Sequence, residues 1–171
     1  MPNIISVSSS SKLGLFDLPY AKLPQDLSHP KLQIKQSQLK NHPLYVISGL
    51  STKDDILRGE ETQLIGLHYL LSINTSSTVI IPGTHSKHMF CAEGVLTQFK
   101  TYMTGELFEI ISKNSVLSHS VKSENLDKAE ILNSVNKIMN KPEVFANALF
   151  QLRKNRLRCL KKYRIQLKYL D

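Results

Sequence analysis

The segment Ile80-Ile-Pro-Gly-Thr-His-Ser-Lys87 constrains the fold more than any other part of the chain. Thr78 to Ile81 is an apolar, β-branched run that reads as a strand. Pro82-Gly83 stops it abruptly, because proline has no N–H to give to a ladder. His88 to Cys91 and Val95 to Met103 then read as a hairpin about Glu93-Gly94. The turn between strand and hairpin gathers backbone N–H groups, the hydroxyls of Thr84 and Ser86 and the ammonium of Lys87. Such donors suit a phosphate, whose charge-assisted hydrogen bonds favour glycine-bared backbone and a fixed cation. Taken alone, the turn is also an ordinary strand end, since Gly/Thr/Ser turns are common.

The rest of the chain alternates strands with helices. Ile4, Ile5 and Val7 precede a loop at Ser8 to Ser11, and Pro19, Pro24 and Pro30 mark an irregular extended region. Leu44 to Ile47 reads as a short buried strand closed by Ser48-Gly49. From Arg58 to about Ser72, Leu57, Leu64, Ile65, His68 and Leu71 recur at helical spacing and predict an amphipathic helix. Glu60 and Glu61 open it, where carboxylates suit the positive end of the helix dipole and where one could also act as a base. Thr104 is placed to cap a helix over Gly105 to Lys113. A further helix over about Asn125 to Asn140 is expected to bury Leu126, Ala129, Leu132, Val135 and Met139, and Pro142 starts the last one. Phe99, Tyr102 and Phe108 are expected in the core rather than on a base-stacking platform. The pattern is mixed α/β.

With 171 residues, 41% hydrophobic and 21% charged, the chain can build one core. Its net charge of +8 is local: eight Lys and Arg residues fall between positions 153 and 168, with no acid among them. The remainder holds 14 basic and 14 acidic residues. A nucleic-acid-binding body spreads its cations over a folded face, so nucleic acid is disfavoured as a partner. The tail leaves open a competing reading, a non-catalytic remnant that binds an anionic partner. No basic stretch followed by a long apolar one opens the chain, so neither a secretory signal nor a membrane span is expected. Cys91 and Cys159 form no framework, and a reducing cytoplasm is the simplest compartment. His85, His88 and Cys91 have a spacing that suggests zinc, but His88 and Cys91 fall on opposite faces of a strand and no further ligand pair is evident.

Three segments taken together, Gly59-Glu-Glu-Thr-Gln-Leu-Ile-Gly66, Pro82-Gly-Thr-His-Ser-Lys87 and Thr101-Tyr-Met-Thr-Gly-Glu-Leu107, resemble the 2-dehydro-3-deoxygalactonokinase family. Ser8 to Gly14, with Leu18-Pro-Tyr20, resembles a segment that precedes them in that family. The resemblance runs from about residue 5 to 157 and excludes residues 158 to 171. It implies part of an actin-like, ribonuclease H-like sugar-kinase fold, a mixed sheet with flanking helices. It also implies ATP-dependent phosphorylation of the 6-hydroxyl of 2-dehydro-3-deoxy-D-galactonate, a small sugar acid of galactonate catabolism, with Mg²⁺.

Carried onto this sequence, the resemblance makes Glu60 the base and Arg58 and Glu61 substrate-orienting neighbours. Ser9, Ser10 and Ser11 would bind the sugar acid, and Gly83, Thr84, His85, Ser86 and Lys87 the ATP phosphates. Two family features have no counterpart: an Asp-Trp-Gly-Thr-type turn that holds Mg²⁺, and a Gly-rich adenosine segment. His88 stands where these kinases usually have an aromatic residue. A truncated enzyme is therefore expected, with an inactive remnant of a disrupted gene as the competing reading. Three segments follow: 1–50 as a remnant of the N-terminal lobe and substrate loop, 51–152 as the central kinase region with the phosphate-binding turn, and 153–171 as a basic C-terminal helix or tail.

Overall fold

In a computed structural model, residues 4–6, 18–39, 42–121 and 128–154 are described, with the backbone alone at 4–6 and 39. They fall into two compact units, Met1–Gly105 and Glu106–Asp171.

Among the described residues, all the strands lie in the first unit. Ile4–Ser6 (β1) runs parallel to His42–Ile47 (β5), which pairs antiparallel with Ile34–Leu39 (β4). Ala21–Lys22 (β2), Leu50–Ser51 (β6) and Ile56–Leu57 (β7) form a second small sheet. The prolines at 19, 24 and 30 leave room only for such short strands, among them Gln25–Asp26 (β3). The third sheet has the order β3-β10-β9-β8, where β8 is Ser77–Ile81, β9 is Ser86–Ala92 and β10 is Val95–Tyr102. The hairpin turn has Glu93 and Gly94 both at positive φ, 51° and 78°, the tight geometry that matches strand twist.

Register decides what faces inward. Lys87, Met89 and Cys91 lie on one face of β9 and are buried, while His88, Phe90 and Ala92 alternate to the other. On β10 the pairing slips by one residue between Leu96 and Gln98, a β-bulge at Thr97. Leu96 opposes Cys91, Phe99 opposes Met89 and Thr101 opposes Lys87. The extra residue thus changes the parity of the strand, so that Phe99 and Thr101 join Leu96 on the inner row. The Thr97 hydroxyl donates to the Phe90 carbonyl at 3.0 Å and ties the bulge to its partner strand.

The helix expected from Arg58 is Glu60–Leu71 (α1), closed by Ser72 in a left-handed conformation whose N–H donates to the His68 carbonyl at 2.8 Å. It buries Glu61, Leu64 and His68, and Leu64 joins Leu27, Leu50, Leu57, Met89, Leu96 and Phe99 in the main core. At about 25 cal/mol per Å² of apolar surface removed from water, this cluster is the main source of the unit's stability. His68 Nε2 lies 3.0 Å from Ser28 Oγ.

The second unit departs from expectation. Thr104–Asn114 (α2) begins where a helix is predicted, but neither it nor Lys128–Asn140 (α3) buries any residue. Leu132, Val135 and Met139, expected in a core, are 53%, 47% and 72% exposed, Ala129 is exposed, and Leu126 lies outside the described residues. Of the three aromatics expected inside, Phe99 is buried but Tyr102 and Phe108 are exposed. Tyr102 instead packs at a tilt of 54° against His88 on the outer face of the sheet, ring centroids 4.6 Å apart. Pro142–Val144 forms a 3-10 turn, and 145–154 is helical.

Candidate functional site

Three segments separated in sequence, 55–60, 85–87 and 101–103, meet around one cavity in the first unit. It has a volume of about 460 Å³ and is lined by Asp55, Ile56, Arg58, Glu60, His85, Lys87, Thr101 and Met103. That volume falls in the range of small-molecule sites.

One wall comes from the entry to α1. Gly59 adopts φ 104°, a conformation that favours glycine, and its N–H donates to both oxygens of Glu61, at 2.7 and 2.9 Å. Glu61 is therefore buried under the turn and does not line the cavity. Burial drives its carboxyl up to about 7, its own N–H and that of Gly59 pull the other way, and the neighbouring Glu60 charge adds to the rise. Glu60, half-buried, reaches the cavity, and its Oε2 accepts the Arg58 backbone N–H at 3.1 Å. The Arg58 guanidinium donates to the Tyr20 hydroxyl and lies 5.3 Å from the centroid of that ring. Arg58 is thus held by an aromatic residue inside the proline-marked segment, next to Pro19.

A second part of the lining comes from the strand end at Pro82. Gly83, Thr84 and His85 are exposed, whereas Ser86 and Lys87 are buried. Ser86 Oγ lies 3.4 Å from the Gly83 N–H, which donates to it, and 3.5 Å from the Gly83 carbonyl. The Gly105 N–H also donates to that carbonyl, at 3.2 Å. A Cβ at Gly105 would lie 2.7 Å from it and 2.8 Å from the Thr84 Cα, so the turn rests directly on a bare backbone. This contact gives a physical reason for the Pro82-Gly-Thr and Thr104-Gly105 segments to occur together. The Lys87 ammonium donates to the Ile56 carbonyl at 3.0 Å and to Thr101 Oγ1 at 2.9 Å.

Of the residues singled out in sequence, Arg58, Glu60, His85 and Lys87 converge on the cavity, while Ser9, Ser10 and Ser11 lie outside the described residues. Sequence reasoning missed Asp55, Thr101 and Tyr20. Tyr20 and Thr101 lie within motifs that carry the family resemblance, but nothing local marks Asp55. Among the described residues no group of three His, Cys, Asp or Glu side chains could hold a metal ion. No described helix is long and apolar enough to cross a membrane.

A family model described as 2-keto-3-deoxy-galactonokinase matches residues 2–170. The match extends the likeness through the basic tail, correcting the expectation that residues 158 to 171 stand outside it. The chain is 30% identical over 164 residues to a protein of Rhizobium meliloti (strain 1021) named as a probable 2-dehydro-3-deoxygalactonokinase, covering 92% of this chain and 53% of that protein. It is 27% identical over 156 residues to the 2-dehydro-3-deoxygalactonokinase of Escherichia coli (strain K12), covering 89% and 51%. A crystal structure from Sinorhizobium meliloti, described as that of a candidate 2-dehydro-3-deoxygalactonokinase, superposes with a TM-score of 0.71 at 31% identity, over 81% of this chain and 47% of the other. The chain thus spans about half the length of these relatives. By its motifs, its matched length and its fold, it belongs to the 2-keto-3-deoxy-galactonokinase family.

Proposed function

We propose that this chain carries one part of a sugar-acid kinase site, which transfers the terminal phosphoryl group of ATP to the 6-hydroxyl of 2-dehydro-3-deoxy-D-galactonate. On this reading its sheets are part of an actin-like fold. The observation that carries it is the meeting of Arg58 and Glu60 with His85 and Lys87 on one cavity. Phosphoryl transfer requires mainly positioning and neutralised charge, and a carboxylate that accepts a proton late. Glu60 is the base, because its carboxylate reaches the cavity while that of Glu61 is spent on the Gly59 amide. Glu61 then acts by shaping the turn that presents Glu60 rather than by touching substrate. Lys87 and the Gly83–Ser86 turn meet the phosphates, and Arg58 orients the sugar acid. Ser9, Ser10 and Ser11 complete the sugar-acid contacts in this reading.

Mg²⁺ would supply charge neutralisation on the phosphates. The described residues do not fit it with a site of their own: both oxygens of Asp55, the other cavity carboxylate besides Glu60, already accept N–H or O–H groups. No step here is routed through the metal.

A coupled assay of ADP release tests the proposal, run on this chain and on a full-length relative changed at the matching positions. Glu60→Gln should lower turnover by about 100-fold or more while calorimetry still detects ATP. Lys87→Ala should weaken ATP binding itself. Unchanged turnover in both variants refutes the assignment.

A further inference from the structure

Lys87 occupies an inward position on its strand and is only 6% exposed, an unusual place for a lysine unless its ammonium is paired. An ammonium has three hydrogens to give. Two are given, to the Ile56 carbonyl and to Thr101 Oγ1. The single hydroxyl hydrogen of Thr101 goes to Asp55 Oδ1 at 2.8 Å, so the Thr101 oxygen faces Lys87 only as an acceptor. Asp55 is itself anchored: Oδ2 accepts the Thr101 N–H at 2.7 Å and Oδ1 the Ile56 N–H at 2.8 Å. The relay therefore has one direction, from ammonium to hydroxyl to carboxylate, and each bond polarises the next. Thr101 takes part because the bulge at Thr97 places it on the inner row opposite Lys87.

We infer that Asp55 and Thr101 are positioning residues, which hold the Lys87 ammonium at the cavity wall with its third hydrogen available to an anionic oxygen. This rests on the reading of Lys87 as a phosphate ligand.

Tripolyphosphate binding to the full chain, followed by calorimetry, separates the two ideas. Thr101→Val keeps the shape but removes the hydroxyl and should weaken binding about tenfold, the loss of one charge-assisted hydrogen bond. Thr101→Ser should restore affinity to near the parent value, and Asp55→Asn should fall between. A merely structural role would lower the thermal midpoint of Thr101→Val without this pattern of loss and rescue. If Lys87→Ala abolishes binding while folded Thr101→Val or Asp55→Asn binds like the parent, the positioning role is overturned and the phosphate reading stands. If the parent fails to bind, or Lys87→Ala binds equally well, the phosphate reading falls and takes the inference with it. Should Thr101→Val not fold, Asp55→Asn and Thr101→Ser decide the matter by the same readout.

Discussion

Helices α1 and α3 are nearly the same length, 12 and 13 residues, yet they stand in opposite relation to their own sequences. In α3 the apolar residues Ile131, Leu132, Val135, Ile138 and Met139 keep a strict helical period, and none is buried. In α1 apolar side chains are scattered around the axis, with Leu70 82% exposed, but Leu64 is completely enclosed. A strong period records a face that would gain by being covered; it does not supply the cover. What encloses Leu64 is a core assembled from distant segments, with Met89 and Phe99 from the sheet and Leu27 from the loop after β3.

The comparison can be broken most directly by truncating its two emblematic leucines. Leu64→Ala should cost about 3 kcal/mol, from lost transfer energy and a cavity that rigid neighbours cannot fill. Leu132→Ala should stay within about 0.5 kcal/mol in a urea titration. Equal costs would mean that α3 is covered in solution.

A second test exploits the buried acid of α1. The folded chain holds the Glu61 proton up to about pH 7, against an ordinary value of 4.5. Between these values the folded state binds more protons than the unfolded chain. The contribution of Glu61 is therefore complete below the ordinary value and is lost as pH rises through the folded one. The loss approaches roughly 3 kcal/mol as an upper bound. Urea midpoints of the parent should fall between pH 5 and pH 8, and Glu61→Gln should flatten much of that slope. An identical slope in both proteins would show that Glu61 titrates normally.

The smallest effect expected is a gain. Gly66 sits inside α1 with nothing within 4 Å of where a Cβ would be. Gly66→Ala should stabilise by roughly 0.5–1 kcal/mol, because alanine loses less backbone entropy in a helix. A loss of stability on thermal melting would reveal a close neighbour.

Much of the first unit was legible because its signals are local. Turn chemistry at Glu93-Gly94 marks the hairpin, and the apolar spacing from Arg58 to about Ser72 places α1 within two residues of its observed limits, Glu60–Leu71. Glu60 and Lys87 were legible only in company, since each alone is an ordinary helix-start acid or strand lysine. The relay beneath Lys87 was not legible at all. Asp55 and Thr101 are 46 residues apart, and their meeting depends on a register that no window of sequence contains. The exposure of α3 was hidden for the same reason, because burial is a property of neighbours rather than of the helix.

The bulge on β10 also determines which changes of chain length the strand can accept. Without Thr97 the strand would return to plain alternation, with Leu96, Phe99 and Thr101 still on the inner face opposite Cys91, Met89 and Lys87. Loss of Lys100 instead would rotate Thr101 to the opposite side and strand the ammonium beside it. Position 97 is thus a place where a homologue can be one residue shorter at little expense, while the next four positions must keep their count.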